Sequence, residues 1–257
     1  MLVFDELQEM DEKWLEWYGR EISSYPMGDF SILDPSFNMK TCVDIGASIG
    51  GFSIVASNYF EKVLAFEPSR ASFTTALQNC HANIDLYNVA VSNRTGDVVD
   101  LTCQVCPTTG KFHGHNASIV WGLGDEKERA ITIDLEKIYE LADTDFIDYL
   151  KVDCEGSEWD ILLYQDLSRV GLICAEIHGP PKGKGNFKTL RTKLIGQMRA
   201  DGFEVCLYSE NNFFARNTKF NIPCLVCDKE KLRKIQTKAS LKCNCRSCQK
   251  KREIENA

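Results

Sequence analysis

The chain has 257 residues, 44% of them apolar and 26% charged, with a formal net charge of −7. That length supports one substantial core, the composition is ordinary for a soluble domain, and no apolar run approaches the ~18 residues of a membrane span. The acidic start "MLVFDELQEMDEKW" lacks the basic and apolar regions of a secretory signal, so the twelve cysteines read as reduced thiols of a cytoplasmic protein.

The predicted elements alternate along the chain. Residues 1–40 carry an amphipathic helix, "FDELQEMDEKWLEWYGREI", read as an extension that packs on the main domain. "TCVDIG" is a short apolar strand and "GFSIVASNYF" a helix; "KVLAFEP" is a strand stopped by Pro68, after which Ser69 caps the helix "RASFTTALQNCHAN". "IDLYNVAV" is a third strand and "GDVVDLTCQV" one arm of a hairpin. Residues 106–128, rich in Gly, Thr and His, read as a loop, with His113 and His115 as exposed loop residues. "AITIDLEKIYELA" passes from strand to helix; "DYLKVDCEG" is a strand, "SEWDILLYQDL" a helix, "GLICAEIHG" a strand. "FKTLRTKLIGQMRADG" is a helix ended by Gly202. "FEVCLYSENNFFARN" and "FNIPCLVCDK" are predicted to close the sheet.

Strands alternating with helices predict an α/β fold: a doubly wound, mostly parallel, seven-stranded sheet covered on both faces, with an antiparallel edge. The main domain is expected over 41–228. Residues 229–257 hold ten Lys/Arg against three Glu, leaving about −14 on the rest, and read as a basic, solvated tail. Cys224, Cys227, Cys243, Cys245 and Cys248 could supply thiolates to zinc, although the first two sit in an apolar strand pattern where buried free cysteine is common.

The first strand-to-helix turn, "VDIGASIGGFS", is where a doubly wound sheet takes a nucleotide-like ligand. A pyrophosphate turn spaces its glycines as G-x-G-x-x-G. Here Asp44 precedes Gly46, Ser48 and Gly50, and a carboxylate suits a cationic ligand such as a sulfonium. Glu67, followed by Pro68, ends the second strand where a carboxylate can accept both ribose hydroxyls. A cation joined to a nucleoside describes S-adenosylmethionine.

"VDIGASIGGFS", "VLAFEPS", "NVAVSNRTG", "DYLKVDCEGSEWDIL" and "AEIHG", in this order, resemble the FkbM family of S-adenosylmethionine-dependent methyltransferases over roughly residues 41–210. Ser48 stands where many members carry Asn. The resemblance implies a Rossmann-like class I methyltransferase fold and O-methylation, often of sugars or natural products.

In such a fold the segment Asn88 to Val91, including Ala90, is where adenine contacts arise; a turn role for Asn88 competes with that. Asp153 and Glu155 end the fourth strand and are expected to orient the acceptor or the methionine amine, with helix capping as the competing role for Glu155. Glu176 and His178 end the fifth strand, two apart and so able to point the same way. His178 is the leading general base, on an unperturbed pKa near 6.5. Magnesium held by Asp153 and Glu176 is chemically admissible, though two carboxylates do not establish a metal. The expected acceptor is a hydroxyl of a sugar, glycan or small metabolite. RNA ribose methylation is the rival, helped by the basic tail but usually reliant on lysines in the site. A non-catalytic binding module is disfavoured by intact Asp44, Glu67 and Asp153. Nicotinamide chemistry is disfavoured by the glycine spacing, and base amino-methylation by "VDCEG" in place of Asn/Asp-Pro-Pro-aromatic.

Overall fold

The computed structural model describes residues 39–105, 112–118, 126–180, 185–207, 209–220 and 222. The expected N-terminal helix and the cysteines from 224 onward lie outside these residues.

Short apolar runs become the strands of one seven-stranded sheet. β1 (Thr41–Ile45) is central, flanked by β2 (Lys62–Phe66) and then β3 (Ile84–Tyr87) on one side. On its other side lie β8 (Ile147–Val152), β9 (Val170–Glu176), β11 (Asn212–Asn217) and finally β10 (Phe203–Leu207). β1, β2, β3, β8 and β9 are parallel, and β11 runs against both β9 and β10. The antiparallel pairing is thus at the predicted edge, with the reversed strand second and β10 outermost. The closing hairpin falls differently from the sequence expectation: "FEVCLYSENNFFARN" contains both of its strands, in the register Phe203↔Asn217 to Leu207↔Phe213.

Alternate residues feed two core layers. Val43, Ile45, Leu64, Phe66, Leu150, Val152, Ile173 and Ala175 point to one face, toward helices α3 (Leu135–Ala142), α4 (Glu158–Tyr164) and α5 (Phe187–Ala200). Cys42, Val63, Ala65, Tyr149, Leu172 and Cys174 point to the other, where Ala56 ends helix α1 (Gly51–Ala56). Burial on both faces explains why these strands read as unbroken apolar runs. Helix α2 (Arg70–Asn79) follows β2 with Ser69 at its N-cap, but the Ser69 hydroxyl makes no capping bond. α5 starts where the Asn186 side chain accepts from Lys188 N–H, and it stops before Gly202 at φ +98°.

A second, four-stranded sheet runs β4 (Ala90–Val91), β7 (Glu126–Ile133), β5 (Val98–Val105), β6 (Phe112–Ser118). β6 corrects the expected loop over 106–128. "FHGHNAS" has little strand character of its own, and its pairing with β5 supplies it. His113 and His115 therefore lie on a strand.

After β1 the chain winds to β2 and β3 in one direction and later to β8 and β9 in the other. Strand order reverses between β1 and β8, and the carboxyl ends of those strands carry the candidate site.

Candidate active site

The turn after β1 uses left-handed backbone at Gly46 (φ 82°), Ser48 (φ 50°) and Gly50 (φ 87°). Gly46 has no alternative. A Cβ there would fall 1.7 Å from the Asp153 carbonyl oxygen, so the turn can lie against the end of β8 only without a side chain.

Asp44 is fully buried. Its Oδ2 accepts from the Ser53 hydroxyl at 2.6 Å, and its Oδ1 lies 3.0 Å from Lys151 Nζ. The carboxylate expected to meet a cationic ligand is thus already matched inside the protein. Lys151 is its direct neighbour in the β1–β8 register. The ammonium also donates to Gly46 O at 2.7 Å and lies 4.0 Å from Asp153 Oδ2. Burial works against its charge, but Asp44 and Asp153 outweigh that and hold the Lys151 pKa above its ordinary value. Neither Lys151 nor Ser53 stood out in the sequence; the available signal was a lysine inside the apolar run "DYLKV".

Glu67 ends β2 almost wholly buried. One oxygen accepts from Ser48 N–H and the other from Ser69 N–H, both at 2.9 Å. Burial pushes its pKa up to about 7 against these two bonds, which favour the charged form. Each oxygen keeps a lone pair, so the carboxylate can accept from ribose hydroxyls. Asn88 donates to Glu67 O and Pro68 O at 2.9 and 3.0 Å. Its amide thereby ties down the β2–α2 turn, the competing role noted for it. Ala90 is buried in β4, paired with Thr132.

At the ends of β8 and β9 four of the expected residues meet. The His178 imidazole places Nδ1 2.8 Å from Glu158 Oε1 and Nε2 3.6 Å from Glu155 Oε2. Glu155 sits in left-handed backbone at φ 56°, and its carbonyl accepts from the Ser118 hydroxyl of β6 at 2.6 Å. The small sheet therefore reaches the rim of the site. Burial raises Glu155 to about 7, with Asp153, Glu158 and Glu176 adding to the effect and His178 opposing it. Burial likewise raises Asp153, against Lys151 and His178. For His178, burial favours the neutral ring, yet Glu158 above all, then Glu155 and Asp153, hold the proton and raise it to about 9. That lies above the ionisation near neutrality expected from the residue type and favours the imidazolium at pH 7.

Glu158 was missed by sequence reasoning. It is fully buried, and its two oxygens accept from Cys154 N–H (3.1 Å) and Gly156 N–H (2.7 Å). It ties down the turn that precedes α4, whose N-cap, Ser157, has no side-chain capping bond. Among the described residues, the carboxylate and imidazole atoms of Asp153, Glu158 and His178 form a group of three close enough together for a metal. One of the three is an imidazole, whereas magnesium takes oxygen ligands, so this set is a poor fit for magnesium.

An open sheet in this order, with a left-handed turn after β1 and a buried acid ending β2, defines a Rossmann-like class I methyltransferase, and the enzyme is S-adenosylmethionine-dependent. The chain belongs to the FkbM methyltransferase family, whose domain matches residues 44–208. None of the curated proteins matches the chain. Solved structures similar to it include a precorrin-6y C5,15-methyltransferase from Geobacter metallireducens (16% identity, 70% of this chain and 82% of that one, TM-score 0.37). An rRNA methylase from Streptococcus thermophilus has 11% identity over 72% of this chain and 87% of that one, TM-score 0.39. TrmK of M. capricolum, in complex with S-adenosylhomocysteine, has 10% identity over 72% and 66%, TM-score 0.37. No helix among the described residues is long and apolar enough to cross a membrane.

Proposed function

We propose that the protein transfers a methyl group to a hydroxyl of a sugar, glycan or small hydroxylated metabolite. The observation that carries this reading is His178 at the end of β9, whose Nε2 lies 3.6 Å from Glu155 Oε2 while Nδ1 lies 2.8 Å from Glu158 Oε1. S-adenosylmethionine supplies an electrophilic methyl on a sulfonium. The chain must bind the cofactor, aim the acceptor oxygen and take its proton. Gly46, Ser48 and Gly50 shape the cofactor turn, Glu67 accepts from the ribose, and the Pro68–Asn88–Ala90 neighbourhood borders the adenine. Asp44 acts at one remove, through Lys151 and the turn. Asp153, Glu155 and Glu176 orient the acceptor, and His178 takes the proton at Nε2 once that nitrogen is free.

Carboxylates at this rim suit a neutral polyol, whose hydroxyls donate to them, and repel the phosphates of RNA. The catalytic unit in this reading is 41–228, with 1–40 and 229–257 as appendages. The five free thiols among the described residues accord with a reducing, cytoplasmic setting.

Intact-mass measurement of glycans, RNA oligonucleotides and small hydroxylated metabolites incubated with enzyme and S-adenosylmethionine tests the acceptor. A mass gain of one CH₂ is expected on a glycan or metabolite. Gain on RNA alone would replace this reading with ribose methylation, and binding with no transfer would make the protein a binding module.

The cofactor assignment has a titration of its own. Glu67→Ala is expected to weaken S-adenosylmethionine binding by about 1–3 kcal/mol. Ribose hydroxyls favour the ionised carboxylate, and the free carboxyl ionises at about 7, so binding expels its proton and wild-type affinity should rise with pH toward 7 and then level. Calorimetry in which Glu67→Ala keeps that same slope would remove Glu67 from the ribose site.

A further inference from the structure

We infer that Glu158 is the positioning residue of the proton acceptor: its carboxylate holds the proton of His178 on Nδ1 and turns Nε2 toward the crevice. The inference rests on the reading of His178 as the group that receives the acceptor's proton.

The bond count around Glu158 decides the direction of the His178 contact. Oε1 accepts from Cys154 N–H and Oε2 from Gly156 N–H, so the backbone requires the side chain as an acceptor. A carboxylate has no proton to give. The 2.8 Å contact with His178 must then be Nδ1–H donating to Oε1. When the ring is neutral the lone pair is left on Nε2, the nitrogen that faces Glu155. The next residue adds a second clamp. Trp159 Nε1–H donates to the His178 carbonyl at 2.9 Å, so the first turn of α4 fixes both the ring and the backbone of the same histidine.

This gives the stretch "CEGSEW" a physical logic. Residues 154 and 156 offer N–H groups that lock Glu158, and Glu158 locks His178. Glu155, between them, is turned outward by its left-handed backbone to stand on the other side of the ring. Among the described residues, the carboxylates that act on the imidazole include Glu158 from α4, Glu155 from the turn and Asp153 from the end of β8. Only Glu158 is both fully buried and in hydrogen-bond contact with the ring.

The test is imidazole ¹⁵N NMR of the full chain, wild type and Glu158→Gln, with His178→Gln used to assign the signal. In the wild type, Nδ1 should stay protonated across the titration and Nε2 should lose its proton near pH 9. In Glu158→Gln the ionisation should fall by roughly 1–3 units, since the nearest opposite charge is gone. The limb of the methyl-transfer rate, once an acceptor is in hand, should move to lower pH with it. Trp159→Phe, which removes the backbone clamp but no charge, should lower the melting temperature without moving the ionisation. A neutral wild-type ring protonated on Nε2 would overturn the proposal even if Glu158→Gln failed to fold. So would an unchanged ionisation in that variant. The expected titrations without methyl transfer to any hydroxyl would uphold the role of Glu158 and remove the reading of the acceptor instead.

Discussion

Replacing Lys151 by methionine is expected to cost the fold about 3–5 kcal/mol, the usual consequence of stranding one member of a buried ion pair. Methionine keeps the length and most of the volume of the side chain, so the loss reports charge rather than a cavity. Asp44 would retain only the Ser53 hydroxyl, and Gly46 O would lose the ammonium that now donates to it. Because that carbonyl belongs to the cofactor turn, S-adenosylmethionine affinity should fall together with stability. Urea denaturation of Lys151→Met, Asp44→Asn and the double variant separates the parts. The double variant should lose clearly less than the sum of the singles, since removing both charges leaves neither unpaired. Strict additivity, or a loss below about 1 kcal/mol in Lys151→Met, would show that the two charges do not support each other.

Much of this architecture was legible because the central strands declare themselves locally. "KVLAF" ends at Glu67-Pro68 and "GLICAE" before His178-Gly179-Pro180, so chain punctuation marks the strand ends at which functional residues collect. β6 was not legible, because "FHGHNAS" is held as a strand by β5 rather than by its own residues. The β10–β11 hairpin was merged into one strand because the turn around "SENN" contains neither glycine nor proline. The same distinction runs through the site. Acids and a histidine at strand ends were visible by position. Lys151 was not, since a lysine in a buried strand makes sense only beside Asp44, which register places across from it. Glu158 looked like an ordinary first-turn acid until its side chain folded back on Cys154, Gly156 and His178. The raised pKa of His178 follows from that hidden partner, which residue type alone does not show.

His178→Ala is expected to lower turnover by ~10²–10⁴, the range for a lost general base, without weakening S-adenosylmethionine binding. In the unliganded protein the ring ionises at about 9, so the wild-type rate should climb with pH through the alkaline range. A sulfonium brought into the site opposes the imidazolium and favours the neutral ring. The ionisation should therefore lie lower with S-adenosylmethionine bound than with S-adenosylhomocysteine, which lacks that charge. Stability carries the opposite sign. A histidine whose proton is held in the fold contributes fully below its unfolded pKa near 6.5 and loses that contribution as pH rises through about 9. The melting-temperature deficit of His178→Ala should accordingly be larger at pH 6 than at pH 9.5. Asp153→Asn should also slow turnover, and insensitivity of the wild type to chelators would assign Asp153 to orienting the acceptor rather than holding a metal. An alanine variant at 178 with near-normal turnover and an unchanged pH profile would take His178 out of the chemistry. The proton would then pass to Glu155, whose carboxyl is raised by burial to about 7.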